Sequence, residues 1–275
     1  MRTLVTILCL VSIAAPPHIP LYPQNRTSAG GLHFTSEGRG ANVVLIHAFQ
    51  MDLREWDDVA ARLRRKRRVV RYDVRGHGRS QVLDPLPSAV EDLRALLDEL
   101  QISHAALVGS SMGSTIALDF ALTYPGRVDW VLLLSPGVPG IATSASFDWM
   151  KPIIAAVNEK NAAGAAALWW ENPLLAGLRT MPGAERYRTI VAENARIWTI
   201  PRPPPPAQPP AGTRLKDVSV AVTTAAGELD LLGSIENARA VAGGVPKGNY
   251  IAIANANHML SIERSEQVSR LILER

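Results

Sequence analysis

Apolar positions along this chain fall into two patterns: short uninterrupted runs, and longer stretches in which they recur every three or four residues. The runs at 42–46 (Asn42-Val43-Val44-Leu45-Ile46), 69–73, 105–108, 130–134, 218–223 and 250–254 are short and mostly apolar, and read as strands of a parallel sheet. Between the first two, Leu53, Trp56, Val59, Ala60 and Leu63 share one helical face over 53–65. A second helix is predicted at 87–100, with Ser88 as N-cap, Glu91 three residues on, and Val90, Leu93, Leu96, Leu97 and Leu100 facing inward. Others follow the run at 105–108 (Ile116, Ala117, Phe120 and Ala121) and occupy 234–241 and 265–273. Strand and helix in regular succession predict an α/β architecture, a mostly parallel sheet covered by helices on both faces.

The succession stops at Ser135-Pro136-Gly137. Residues 138–213 contain no clear βα unit, are rich in Ala and Trp, and are helical around 148–168 and 184–198. They end in Pro201-Arg202-Pro203-Pro204-Pro205-Pro206-Ala207-Gln208-Pro209-Pro210, which must be extended and reads as a stiff connector. The chain thus divides into a core, 31–137 and 214–275, and a helical cap inserted into it, 138–213.

Upstream of the core, Arg2, the apolar stretch from Leu4 to Ala15, the small residues around Ser12-Ile13-Ala14 and then Pro16-Pro17 have the pattern of a secretory signal over 1–15. It is too short for a bilayer anchor. Residues 16–30, Pro-rich and polar, read as a flexible lead-in. The expectation is a periplasmic or secreted protein with no stable membrane insertion after cleavage. The single cysteine, Cys9, lies inside the signal, so the mature chain would have neither disulfides nor thiol chemistry. Stability then rests on the core, for which 275 residues at 47% apolar suffice. The net charge of +4 gathers in Arg62-Leu63-Arg64-Arg65-Lys66-Arg67-Arg68, which reads as the solvated end of a helix, where cations suit the dipole. Few aromatics accompany it and no nucleic-acid motif occurs elsewhere, so no nucleic-acid partner is expected.

Candidate chemistry centres on Gly109-Ser110-Ser111-Met112-Gly113, placed between a strand and a helix. A sharp turn there strains the backbone of Ser111 and pushes its hydroxyl clear of the sheet, at a helix N-terminus that favours developing negative charge. A serine nucleophile needs a base, and the base needs an acid. Gly227-Glu228-Leu229-Asp230 follows the strand at 218–223, and Asn257-His258-Met259 follows the strand at 250–254, so both loops lie on the sheet edge that carries Ser111. His258 is the base; Asp230 is the acid, with Glu228 as its nearest competitor and Asp148 a more distant one. Of the other histidines, His18 and His33 precede the fold, His104 precedes a strand, and His47 and His77 lie upstream of the serine. Asp73 organises the loop from Arg75 to Ser80. Backbone N–H groups of Met112 and Phe49 are the expected oxyanion donors. His47, Ser110, Trp149, Trp169 and Trp170 are candidate pocket residues, and the cap aromatics, with Phe147 and Trp198, offer an apolar wall. This chemistry calls for no metal and no cofactor.

The segments His47-Ala48-Phe49, Asp73-Val74-Arg75-Gly76-His77-Gly78-Arg79-Ser80, Gly109-Ser110-Ser111-Met112-Gly113, Gly227-Glu228-Leu229-Asp230 and Asn257-His258 occur in the order of the α/β-hydrolase landmarks. From about residue 32 onward, and weakly within 138–213, the chain resembles the small cofactor-independent members: carboxylesterases, enol-lactonases of the 3-oxoadipate type and haloperoxidase-like perhydrolases. The resemblance implies an α/β-hydrolase fold with a helical cap, and a secreted serine hydrolase acting on a small ester, lactone or similar acyl compound through an acyl-enzyme. The alternatives are a C–C bond hydrolase or a cofactor-free perhydrolase on the same triad, or a ligand-binding protein that keeps the fold. Two departures stand out. The family usually has His-Gly where this chain has His47-Ala48, and often His or Tyr where it has Ser110. A methyl at 48 narrows the oxyanion loop or shifts the Phe49 N–H.

Overall fold

A computed structural model describes residues 24–200 and 208–275. The signal-like segment 1–15, with Cys9, the lead-in up to residue 23, with His18, and the connector over 201–207 lie outside the described residues. One sheet holds eight strands among the described residues: β1 (Asn25–Thr27), β2 (His33–Gly38), β3 (Ala41–Ile46), β4 (Arg67–Tyr72), β5 (Ala105–Ser110), β6 (Val128–Leu134), β7 (Ala221–Gly227) and β8 (Gly248–Ile253), the last six built on the apolar runs. Their spatial order is β1-β2-β4-β3-β5-β6-β7-β8. β3 to β8 pair in parallel, whereas β1 and β2 add an antiparallel edge.

The antiparallel edge corrects two sequence expectations. Asn25–Thr27 lies in the segment read as a flexible lead-in, yet it pairs with β2. His33, placed before the fold by the sequence, opens β2 and is buried, with Nδ1 2.7 Å from Asp73 Oδ2. Neither strand has an apolar run to announce it. β2 is buried along its whole length because Arg71, 2.9 Å away, pairs its one carboxylate, Glu37. β7 runs three residues later than predicted, since the small residues Thr224, Ala225 and Ala226 are buried there between two neighbouring strands.

The helices are α1 (Asp57–Leu63), α2 (Ala89–Glu99), α3 (Met112–Thr123), α4 (Lys151–Asn158), α5 (Ala162–Trp170), α6 (Ala176–Arg179), α7 (Ala184–Glu193), α8 (Leu232–Gly244), α9 (Leu260–Glu263) and α10 (Ser265–Leu273). Period-two alternation sorts the strand side chains. Val44, Ile46, Val70, Leu107 and Val131 pack in one cluster with α2, α3 and α8; Val43, Leu45, Val69, Val108 and Leu132 pack in another with α1 and α10. Ser88 caps α2 through the Val90 N–H, as predicted. Glu91 does not reach back to it; its carboxylate takes Arg94 and the Tyr124 hydroxyl instead. The basic run spans the end of α1 and the start of β4. Arg67 donates to carbonyls at the end of α10, so part of the run is bonded rather than simply solvated.

Between β6 and β7 the described residues contain helices and 3-10 turns but no strand. Ile153, Ala165, Trp169, Leu178, Tyr187 and Ile190 form their own cluster, which closes on Ala48 and Met51 after β3 and on Met259 and Ile262 beside α9. The cap therefore rests on two loops at the C-terminal edge of the parallel strands.

Candidate active site

Ser111 sits between β5 and α3 with φ +48° and ψ −108°, a left-handed conformation that costs a non-glycine residue of order 1–3 kcal/mol. Its flanking glycines are fixed by packing. A Cβ on Gly109 would lie 2.2 Å from the Gly113 carbonyl oxygen, and one on Gly113 would lie 2.1 Å from the Ile46 carbonyl oxygen. The turn brings Ser111 Oγ to 3.0 Å from His258 Nε2. On the far side of the ring, His258 Nδ1 lies 3.0 Å from each carboxylate oxygen of Asp230.

Burial alone would lower the pKa of the imidazole, but the Asp230 carboxylate outweighs it, helped by Glu263 and Glu55, and holds His258 above its ordinary value. Burial likewise works to raise Asp230. The His258 ring prevails, with further help from the Ser135 hydroxyl and the Leu231 N–H, and the acid stays below the usual carboxylate range. The pair is thus built to share a charge: an ionised carboxylate behind an imidazole that protonates readily. Glu228 is exposed and Asp148 pairs with Lys151 at 2.6 Å in the cap, so Asp230 is the acid brought to His258.

Met112 is the first residue of α3, so its N–H has no intrahelical acceptor. The Phe49 N–H, in the loop after β3, has no partner among the described residues. That loop closes through the Met51 N–H on the Ala48 carbonyl at 3.1 Å, and its left-handed residue is Gln50, at φ +58°. Ala48 has no positive φ, so the conformation here does not demand the glycine usual in the family.

A family model described as the alpha/beta hydrolase fold matches residues 41–168. Over 269 residues, covering 91% of this chain and 97% of the relative, the sequence is 25% identical to a putative 2-succinyl-6-hydroxy-2,4-cyclohexadiene-1-carboxylate synthase of Bacillus subtilis. A pimeloyl-[acyl-carrier protein] methyl ester esterase of Methylococcus capsulatus is 34% identical over 119 residues, 40% of this chain and 46% of that protein. Among solved structures, the naproxen esterase (carboxylesterase NP) of Bacillus subtilis superposes with a TM-score of 0.74 at 20% identity, covering 93% of this chain and 92% of that one. The chain has the α/β-hydrolase fold.

Within this fold, Ser111 and His258 open into a cleft of about 350 Å³, walled by Ser135 to Gly137, Thr143 to Phe147, Trp149, Leu174 and the start of α8. Of the pocket residues expected from sequence, Trp149 lines it. His47, Ser110, Trp169 and Trp170 do not. His47 is locked behind the site: its Nε2 accepts the Val74 N–H at 2.8 Å, which leaves Nδ1–H to donate to the Ala48 carbonyl. Ser110 is wholly buried at the end of β5, near Glu55. Trp169 and Trp198 each stand edge-on to Phe49 at 5.1 Å between ring centres, and His77 joins the other side at 5.6 Å. Burial, then His47 nearby, pushes His77 down to about 3, so it is neutral at ordinary pH. Trp170 packs inside the cap cluster. The cap aromatics therefore do two jobs, with Trp149 shaping the cleft and Trp169 and Trp198 bracing the loop that carries the Phe49 N–H.

Sequence reasoning missed the residues that organise these loops. Glu263 accepts the N–H groups on both sides of His258, from Asn257 at 2.8 Å and Met259 at 3.1 Å. Glu236 accepts both the N–H and the hydroxyl of Ser144, at 2.7 Å each, and fixes the cleft wall to α8. Glu55 was visible as an acid on an otherwise apolar helical face, beside Leu53 and Trp56, and that signal was available. Asp73 is where the sequence put it: its side chain accepts the Arg79 N–H and its carbonyl accepts the Ser80 hydroxyl.

Proposed function

We propose that this α/β-hydrolase is a serine hydrolase of uncharged esters or lactones. The observation that carries the reading is the 3.0 Å approach of His258 Nε2 to Ser111 Oγ, with Asp230 on the opposite nitrogen. His258 takes the hydroxyl proton as Oγ attacks the acyl carbon, and the oxyanion is met by the N–H groups of Met112 and Phe49. The proton then passes from His258 to the leaving oxygen, the C–O bond breaks, and an acyl-enzyme remains. Water, deprotonated by His258, releases the acid and restores Ser111.

The lining of the cleft argues for an uncharged substrate. Apart from His258, none of its residues ionises near neutral pH, and acids stand behind the wall at Asp230 and Glu236. A substrate carboxylate would lose its water there with no cation to replace it. Serine and threonine hydroxyls line it together with Phe147, Trp149, Leu174 and Leu232, so the fit is to an acyl chain next to a hydrogen-bonding group. Phe147 and Leu232 remain 64% and 60% exposed at the mouth, room for a chain that outgrows the cleft.

The test pairs a neutral methyl ester with the otherwise identical ester bearing a terminal carboxylate, alongside labelling by a fluorophosphonate. Expected are labelling that Ser111→Ala abolishes, and a kcat/KM at least roughly a hundredfold higher for the neutral ester, as for an unpaired buried charge. Labelling that persists in Ser111→Ala defeats the nucleophile assignment, and equal rates defeat the uncharged-substrate reading. Adding peroxide to the same assay separates a perhydrolase.

A further inference from the structure

Glu55 is a carboxylate at a core position, 3% exposed between Leu53 and Trp56 in the 3-10 turn before α1. Burial raises its pKa, so an acid is kept there at a cost. Both of its oxygens are engaged, each by a different segment of the chain. Oε2 accepts the Ala48 N–H at 2.7 Å, one residue before Phe49. Oε1 accepts the hydroxyl of Ser261 at 2.6 Å; Ser261 is wholly buried in α9, three residues past His258 and 206 residues from Glu55.

We propose that Glu55 is a positioning residue that ties the loop bearing the Phe49 N–H to the turn bearing His258, and so sets the oxyanion donor and the base at one separation. The proposal rests on the serine-hydrolase reading above. Glu55 does not line the cleft, so it acts through the two loops and not on the substrate. Its chemistry is specific. Two donors converge on two acceptor oxygens, and an apolar side chain would leave both donors buried and unpaired. Glutamine keeps the geometry: its oxygen takes the Ala48 N–H, and its amide N–H₂ meets a Ser261 hydroxyl turned to accept. The tie also accounts for Ala48. The strand-to-loop turn is held by a side chain from the next element, so the loop does not rely on a glycine conformation at 48.

The experiment compares Glu55→Ala, Glu55→Gln and Ser261→Ala on p-nitrophenyl butyrate, with active sites counted by fluorophosphonate titration. Glu55→Ala is expected to lower kcat per titrated site by roughly tenfold to a hundredfold, less than the loss of an oxyanion donor outright, with KM within about twofold. Ser261→Ala shifts kcat the same way by less, and Glu55→Gln recovers most of it. Glu37→Gln, which breaks a buried pair with Arg71 on the antiparallel edge, serves as the stability control: a lower Tm with kcat per site unchanged. If Glu55→Ala keeps the wild-type kcat per site, whatever its Tm, or if glutamine is as poor as alanine, the proposal is overturned. Wild-type protein that neither titrates nor turns over the ester removes the serine-hydrolase reading itself, and this proposal with it.

Discussion

At Ser111 the strained backbone and the proton relay meet in one residue. The left-handed φ of +48° is tolerated because the strand behind and the helix ahead leave the chain no other path, with Gly109 and Gly113 in contact distance of backbone on either side. The relay behind it has a definite pH signature. In the proposed mechanism His258 acts as base only when neutral, and its pKa is held above the ordinary value. The acid limb of kcat/KM should therefore fall at a pH above ~6.5, the value of a free imidazole. Asp230→Asn removes the strongest influence raising that pKa, so the limb should move to lower pH while kcat drops by roughly 10⁴. A limb at or below the free-imidazole value in the wild type, or one unmoved in Asp230→Asn, contradicts the arrangement. These residues were legible because elbow, acid and base each stand at a strand end in a fixed order. Glu55 and Glu263 were not, because each works through backbone N–H groups that only the folded loops bring within reach.

Among the elements, the cap divides its aromatics between two tasks, and substitution should separate them. Trp149 lines the cleft, so Trp149→Ala should change the kcat/KM ratio between long and short acyl esters by about 1–3 kcal/mol. Trp169 and Trp198 touch Phe49 instead, so their alanine variants should lower kcat for every chain length alike and leave that ratio in place. A ratio that shifts with Trp198→Ala and not with Trp149→Ala reverses the two roles. Composition alone had treated these tryptophans as one wall, since a helical face of Ala and Trp says which side is buried but not against what. The same limit hid the first two strands. β1 is exposed, and β2 is buried through the Glu37–Arg71 and His33–Asp73 pairs, which leave no apolar run.

For the whole molecule, alternation of runs and helical faces was enough to predict a parallel sheet clothed on both sides with a cap let into it, because each strand buried on both faces must be apolar throughout. The segment 1–15 we read as a secretory signal. Expressed with its native N-terminus, the protein should be exported and begin near Ala15 or Pro16, as intact mass would report; material retaining Met1 to Cys9 contradicts this. Across the fold, the three residues of the relay come from distant parts of the chain. Ser111 and His258 are 147 positions apart, and Asp230 is 28 from His258. On the proposed mechanism, the nucleophile is made well before its base in a chain emerging from the ribosome, and stays inert until β7 and β8 dock beside β6. On that reading, hydrolytic competence waits on the folding of the C-terminal strands, and a chain threaded unfolded through a translocon would carry its chemistry disarmed.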